Sequence, residues 1–261
     1  MPAIVSIHSF RGGTGKSTIT ASTAVLTARR GYRVAVVDTD IQSPGIHVLF
    51  GLSDALDQGG TTLNDFLWGR ATILDAAHEV PVAGAGSLHV VPGSIKTVEI
   101  AKVLKEGYDV GRLNEGFRDL ISGLNLDVLF IDTHPGLNEE TLLSIAISDL
   151  LFLVLRPDQQ DYQGTGVTVE VARRLGVPDL QLVLNKVPAS FDLEQVRSSV
   201  ETAYGSPAAA VLLQSEAMMQ LSSRDVFVQA HPDDALSREL GRLADLVATL
   251  IDSGGHGDAL L

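Results

Sequence analysis

The sequence predicts a doubly wound α/β protein: a mostly parallel sheet of seven or eight strands with helices on both faces. Three observations carry this. Short apolar runs rich in Val, Ile and Leu recur along the chain, as expected of strands buried on both faces. Longer helix-like stretches separate them, which is the alternation that builds a parallel sheet. The first run also passes through a glycine-rich turn directly into a helix of small and β-branched residues.

The strand runs are Ala3–Ile7, Val34–Val37, Leu88–Val91, Val128–Ile131, Leu150–Leu155, Leu180–Leu184 and Ala209–Leu213, each flanked by turn residues or a helical stretch. The helical stretches are Lys16–Arg30, Ile95–Glu106, Leu113–Ser122, Glu139–Ile147, Gly164–Leu175, Leu193–Tyr204 and Asp234–Ile251, with a shorter one at Leu63–Trp68. Gly31 stops the first helix, because Arg29 and Arg30 favour its negative end and glycine accepts the left-handed turn beyond. Ser53–Gly60 reads as a surface loop. Met218-Met219 lies near a possible surface helix, where packing and partner contact are the two alternatives. Residues 1–252 are expected to form a single domain, and 253–261 a flexible, glycine-rich tail.

Composition narrows the chemistry. The 261 residues are 45% apolar, enough for one large core. Nineteen Lys and Arg face 32 Asp and Glu, a net charge of −13, which disfavours broad binding to nucleic acid or anionic lipid. There is no cysteine, so disulfides, thiolate zinc sites, iron–sulfur clusters and cysteine nucleophiles are excluded. The first residues lack a charged export signal, and no stretch approaches the roughly 18 apolar residues of a membrane span, so a cytoplasmic location is expected. The histidines have no metal-ligand spacing.

The glycine-rich turn, Arg11-Gly-Gly-Thr-Gly-Lys-Ser-Thr18, has the residues that phosphate binding needs. Gly12, Gly13, Thr14 and Gly15 let backbone N–H groups face an anion, and the helix beginning at Lys16, Ser17 and Thr18 adds its dipole. Lys16 can reach the β- and γ-phosphates, and the Ser17 hydroxyl is placed for Mg²⁺. Phe10 stands where the general phosphate-loop pattern has a glycine. Asp38 and Asp40 follow one apolar run and Asp132 another, so all three emerge at carboxyl ends of strands, where open α/β sheets bind ligands. A carboxylate there holds a metal-bound water, orients an attacking water, or caps the following turn. Asp132 fits a magnesium ligand, and Pro135-Gly136 makes Asp132–Leu137 the candidate moving segment. His134, inside it, reads as a loop residue without assigned chemistry.

These residues resemble the MinD/ParA family of P-loop ATPases. Gly12-Gly13-x-Gly15-Lys16-Ser17 is similar to its deviant Walker A motif, Val36-Val-Asp-Thr-Asp-Ile-Gln42 to its switch I, and Phe130-Ile-Asp-Thr-His-Pro-Gly136 to its Walker B and switch II. Thr62-Leu-Asn-Asp-Phe-Leu, Leu88-His-Val-Val-Pro-Gly93 and Leu184-Asn-Lys-Val187 resemble family segments in the same order. The resemblance implies a P-loop NTPase fold binding ATP or ADP with Mg²⁺. It implies Lys16, Asp40, Arg11 and Asp132 as catalytic residues, Asp40 positioning the attacking water. Ser17, Asp38 and Asp132 would form the metal shell, and Asn185 and Lys186 the adenine-contacting turn. Arg11 replaces the family's signature lysine, which reaches the partner's phosphates across a dimer. Arginine keeps the charge in a bulkier planar fork, leaving either that role or a solvated surface residue open. Arg156-Pro157-Asp158 reads as base-side support or partner contact.

Within the family, the balanced-to-acidic segment from Asp233 gives no membrane-docking helix. Five lysines and scattered arginines leave only weak nonspecific DNA binding open. Absent cysteines argue against iron–sulfur carriers, and absent tyrosines in 252–261 against tyrosine autokinases. The expectation is a slow ATPase forming a homodimer with ATP, a switch that positions or regulates a protein partner or cargo. The alternatives are a non-hydrolysing nucleotide-binding adaptor and a small-molecule ligase or kinase of the same superfamily.

Overall fold

The computed structural model describes residues 2–254. In chain order the elements are β1 (Ala3–His8), α1 (Lys16–Arg29), β2 (Arg33–Asp38), α2 (Ile46–Leu49), α3 (Ser53–Asp57), α4 (Leu63–Leu67), β3 (His78–Val80), β4 (Ser87–Val91), α5 (Thr97–Glu106) and α6 (Val110–Gly123). There follow β5 (Val128–Asp132), α7 (Glu139–Ala146), β6 (Leu150–Leu155), α8 (Gln159–Arg174), β7 (Asp179–Val187), α9 (Leu193–Tyr204), β8 (Ala208–Leu213), α10 (Glu216–Leu221), α11 (Phe227–Ala230) and α12 (Ala235–Asp252). The strands form one eight-stranded sheet in the order β3-β4-β2-β5-β1-β6-β7-β8, parallel except at β3.

The expected doubly wound sheet is therefore present. Alternate residues of the central strands feed two cores, as the two-residue strand period requires. Val5, Ile7, Phe130 and Phe152 pack with Ile19 and Val25 of α1 and Leu240 and Leu243 of α12. Ile4, Leu129 and Ile131 face the other way, against Phe66, Leu113 and Phe117. Helix α1 is buried along most of its length. Of its interior hydroxyls, Thr27 donates to Thr23 O at 2.8 Å and Thr20 Oγ1 lies 2.9 Å from Lys16 O, whereas Ser22 Oγ and Thr23 Oγ1 are buried without a hydrogen-bond partner. Gly31 ends it at φ +102°, its N–H on Ala28 O.

Four departures from the sequence expectation have local causes. Strand β3 adds an antiparallel edge on β4 and is too short at three residues to show a period. Ser53–Gly60 is not wholly a loop: α3 occupies Ser53–Asp57 and buries Leu56. Helix α8 starts at Gln159, five residues early, because the Asp158 carboxylate accepts from Asp161 N–H and caps it. Strand β7 runs on to Val187, which carries Asn185 and Lys186 to the sheet's carboxyl edge. Of the expected tail, Ser253 and Gly254 close α12 with N–H bonds to Thr249 O and Ile251 O. Residues 255–261 lie outside the described residues.

Phe10 finds room only because α8 has glycine at 164, where a Cβ would run into the Phe10 ring. Gly164→Ala should therefore lower unfolding stability by about 1–3 kcal/mol despite its better helix propensity. Adding Phe10→Ala should remove that penalty. Denaturant unfolding of the two single variants and the double variant checks the coupling.

Candidate functional site

The phosphate-type loop leaves β1 at Ser9 and enters α1 through Gly13 and Gly15, at φ +77° and +97°. Strand β7 holds it from one side. The Asn185 amide donates to Thr14 O at 2.7 Å and the Lys186 ammonium to Gly13 O at 2.8 Å. A Cβ on Gly15 would strike the Asn185 amide, so glycine is required there by both space and φ. Asn185 and Lys186 thus sit beside the loop, bonded to its carbonyls.

At the start of α1 there is no side-chain cap and no acidic residue in the first turn. Helices α7, α8, α9 and α12 are instead capped by Asn138, Asp158, Asp192 and Asp234. The first N–H groups of α1 and its positive dipole end are consequently available to an anion. Lys16 lies in the same place, only 7% exposed, donating to Ser9 Oγ at 3.2 Å. Burial pushes its pKa down, while Asp132, Asp40 and Asp38 oppose that. Thr14 Oγ1 is buried nearby without a hydrogen-bond partner.

Asp38 and Asp132 are paired in register on β2 and β5, and both are buried. Asp132 accepts from Thr20 Oγ1 at 3.1 Å and from the Ser17 hydroxyl. Burial raises its pKa to about 6, against the pull of Ser17, Lys16 and Thr20. Asp38 is raised well above the usual range by burial, then by Asp132 and Asp40. Its oxygens accept from the N–H groups of Asp40 at 3.0 Å, Gly45 at 3.1 Å and Ile46 at 3.3 Å, so it shapes the turn after β2. Asp40 accepts from Ser43 N–H at 3.1 Å and from His134 Nδ1 at 2.6 Å. Three carboxylates thus gather around one ammonium, an imbalance that a divalent cation would relieve. Among the described residues no cluster of three or more His, Asp or Glu is arranged to cage a metal.

Arg11 stands apart from Lys16. Its guanidinium lies 3.4 Å from Asp161 Oδ1 and 3.6 Å from Asp158 Oδ1, with its side chain 39% exposed. Arg156 shares both carboxylates, Nε on Asp161 at 3.0 Å and Nη2 on Asp158 at 3.1 Å. The turn after β6 is therefore the dock of Arg11. The segment after β5 also rests on the loop: Gly136 N–H donates to Ser9 O at 3.2 Å, and Thr133 Oγ1 donates to Ile7 O at 2.9 Å.

His8, His134 and Thr20 belong to the site without a sequence signal of their own, since each acts through a residue distant in the chain; Ser9 joins them through Lys16, seven residues on. His8 Nδ1 lies 2.8 Å from Thr133 Oγ1. The Thr133 proton is used on Ile7 O, so His8 Nδ1 donates and its buried Nε2 is an acceptor without a partner. On the far side of the loop a cavity of about 370 Å³ is lined by Gly15, Thr18, Asn185, Lys186, Leu213, Gln214, Ser215, Met218 and Met219. This is within the size range of small-molecule pockets and brings the Met pair next to the loop.

A glycine-rich loop between β1 and a buried α1, with carboxylates at the ends of β2 and β5, defines a P-loop nucleotide-binding fold. The family described as the CobQ/CobB/MinD/ParA nucleotide binding domain matches residues 5–227, and the chain belongs to it. An uncharacterized ATP-binding protein of Methanocaldococcus jannaschii is 30% identical over 187 residues, which cover 72% of this chain and 65% of that protein. The cell division ATPase MinD of Pyrococcus furiosus superposes with a TM-score of 0.79 at 26% identity, over 96% of this chain and 100% of that one. The septum site-determining protein MinD of Pyrococcus horikoshii, complexed with Mg-ADP, also gives a TM-score of 0.79, at 24% identity over 97% and 98% of the two chains. No helix among the described residues is long and apolar enough to cross a membrane.

Burial, then Lys16 and His134, lowers the pKa of His8 from 6.5 to about 3. The unfolded chain therefore takes up this proton first, and the His8 contribution to stability is lost as pH falls from about 6.5 toward 3. Asp132, raised to about 6, acts in the opposite sense, so the comparison must isolate His8. Between pH 7.5 and 5.5 the wild type should lose about 1 kcal/mol more unfolding stability than His8→Asn. Urea titrations of both proteins at the two pH values measure the difference.

Proposed function

We propose that the protein is a slow, Mg²⁺-dependent ATPase whose ATP-bound form dimerises and acts as a switch read by a protein partner in the cytoplasm. Residues 1–252 would work as one ATPase domain. The observation that carries this reading is the open N-terminus of α1 beside buried Lys16, faced by the carboxylates of Asp38, Asp40 and Asp132.

Each residue has a role in that reading. Backbone N–H groups of Gly12 to Thr18 and the Lys16 ammonium bind the phosphates, where a buried cation stabilises the charge of phosphoryl transfer. Ser17 and Asp132 hold Mg²⁺, Asp132 already sharing its carboxylate with Ser17 and Thr20. Bound there, Mg²⁺ would supply charge neutralisation on the phosphate oxygens. Asp38, fully engaged by backbone N–H groups, supports this shell by fixing the turn that carries Asp40. Asp40 orients the attacking water. Asn185 and Lys186, which hold the loop through the Thr14 and Gly13 carbonyls, form the adenine-contacting turn, and the cavity beside them takes the nucleoside. Arg11 exchanges its dock on Asp158 and Asp161 for the partner's phosphates when the dimer closes. The added γ-phosphate is the differential contact that favours that state.

Light scattering after size exclusion tests this with no nucleotide, ADP–Mg²⁺ or ATP–Mg²⁺, using Asp40→Ala to slow turnover. The expected result is a rise from about 28 to about 55 kDa with ATP only, twice the chain mass as a closed two-fold pair requires. Arg11→Ala should stay near 28 kDa in all three. A single mass for Asp40→Ala in every state would sink the ATP-driven dimer.

A further inference from the structure

Among the described residues, His134 is the side chain that joins the segment after β5 to the Asp40 carboxylate. The two residues are 94 positions apart, yet Nδ1 and Asp40 Oδ1 lie 2.6 Å apart, with side chains only 19% and 17% exposed. An ionised carboxylate only accepts hydrogen bonds, so Nδ1 is the donor. Ser43 N–H approaches the same oxygen at 3.1 Å. Two donors on Oδ1 fix the plane of the carboxylate and leave Oδ2 as the acceptor for a water.

His134 is itself held. Its carbonyl accepts from Thr141 Oγ1 at 3.3 Å, at the start of α7, and Pro135 behind it restricts its backbone to extended conformations. Asp40 is tied on the other side, its N–H on Asp38 Oδ1 at 3.0 Å. Without the imidazole, the Asp40 side chain would sit at the start of an irregular turn with one backbone donor to orient it.

We infer that His134 is a positioning residue for hydrolysis: its Nδ1–H orients the Asp40 carboxylate, on segments whose register Thr39 N–H already sets by donating to Asp132 O at 2.9 Å. This rests on the reading of Asp40 as the group that orients the attacking water. His134 moves no proton in this role; it restricts a rotamer. A carboxylate that is free to turn loses near-attack geometry, and misplacement by about 1 Å costs up to about a hundredfold in rate.

The test is single-turnover hydrolysis of ATP–Mg²⁺ with the full chain in excess, for the wild type, His134→Ala, His134→Asn, Asp40→Ala and the Asp40→Ala/His134→Ala double variant. Binding of a fluorescent non-hydrolysable ATP analogue is measured alongside. His134→Ala should slow hydrolysis about tenfold with analogue affinity unchanged within about twofold. Asparagine donates from near the Nδ1 position but cannot relay a proton, so His134→Asn should stay within about threefold of wild type. The double variant should be no slower than Asp40→Ala alone. An undiminished rate in His134→Ala overturns the inference. So does equal loss in the Ala and Asn variants, which would make His134 a proton carrier, or a parallel loss of analogue binding, which would make it merely structural.

If the wild type and Asp40→Ala hydrolyse equally slowly, the ATPase reading itself has failed, and the imidazole ¹⁵N spectrum separates the two failures. An Nδ1-protonated His134 that disappears in Asp40→Ala keeps it as the residue orienting Asp40. An Nε2-protonated His134 in the wild type overturns the contact.

Discussion

The buried ammonium of Lys16 is the constraint around which the site is organised. A lysine that is 7% exposed costs free energy unless negative charge lies close, and here Asp132, Asp40 and Asp38 provide it. The compensation overshoots: three carboxylates meet one ammonium, two of them buried and raised in pKa. Burial and the mutual repulsion of the carboxylates raise the pKa of Asp38 and of Asp132, and the proposed phosphate and divalent-cation ligands would relieve that crowding of charge. The neutral His8 fits the same logic. A second cation beside Lys16 would be unfavourable, and burial keeps the imidazole uncharged.

The fold serves that site by making α1 central. Its small and β-branched residues allow it to pack closely on the sheet and alongside α12, which lies on the same face, with the Thr27 hydroxyl donating within the helix and that of Thr20 turned to Asp132. A helix buried this way has a fixed N-terminus, and leaving that end without a side-chain cap preserves its dipole for an anion. Strand β7 then holds the loop from outside, through Asn185 and Lys186 on the Thr14 and Gly13 carbonyls.

Two segments border the site after β2 and β5. The turn after β2 hangs on Asp38, and the turn after β5 hangs on Ser9 and Ile7 through Gly136 and Thr133. Thr39 joins them through its N–H and hydroxyl on Asp132 O, and His134 and Asp40 join them through side chains. Arg11 is held differently, by ion pairs at the rim that it shares with Arg156. Asp158 is 42% exposed at its side chain, so that contact is screened, whereas the shorter one reaches Asp161, whose side chain is 3% exposed.

The local features were legible in the sequence because each depends on neighbours along the chain. Apolar runs marked the central strands, the glycine-rich turn marked the loop, and Asp38, Asp40 and Asp132 stood at strand ends because parallel strands all deliver their carboxyl ends to one edge. A three-residue antiparallel strand such as β3 carries too little period to be read. What only the tertiary structure decided is which side chains meet across that edge: His134 with Asp40, His8 with Thr133, Arg11 with Asp161, and Asn185 with the Thr14 carbonyl. Those pairs are separated by 94, 125, 150 and 171 residues, and they are set by the order β2-β5-β1-β6-β7. Residue spacing records a helix turn or a strand pleat, but it does not record which strand lies beside which, and so the partners of His134 and Arg11 appear only when the sheet is assembled.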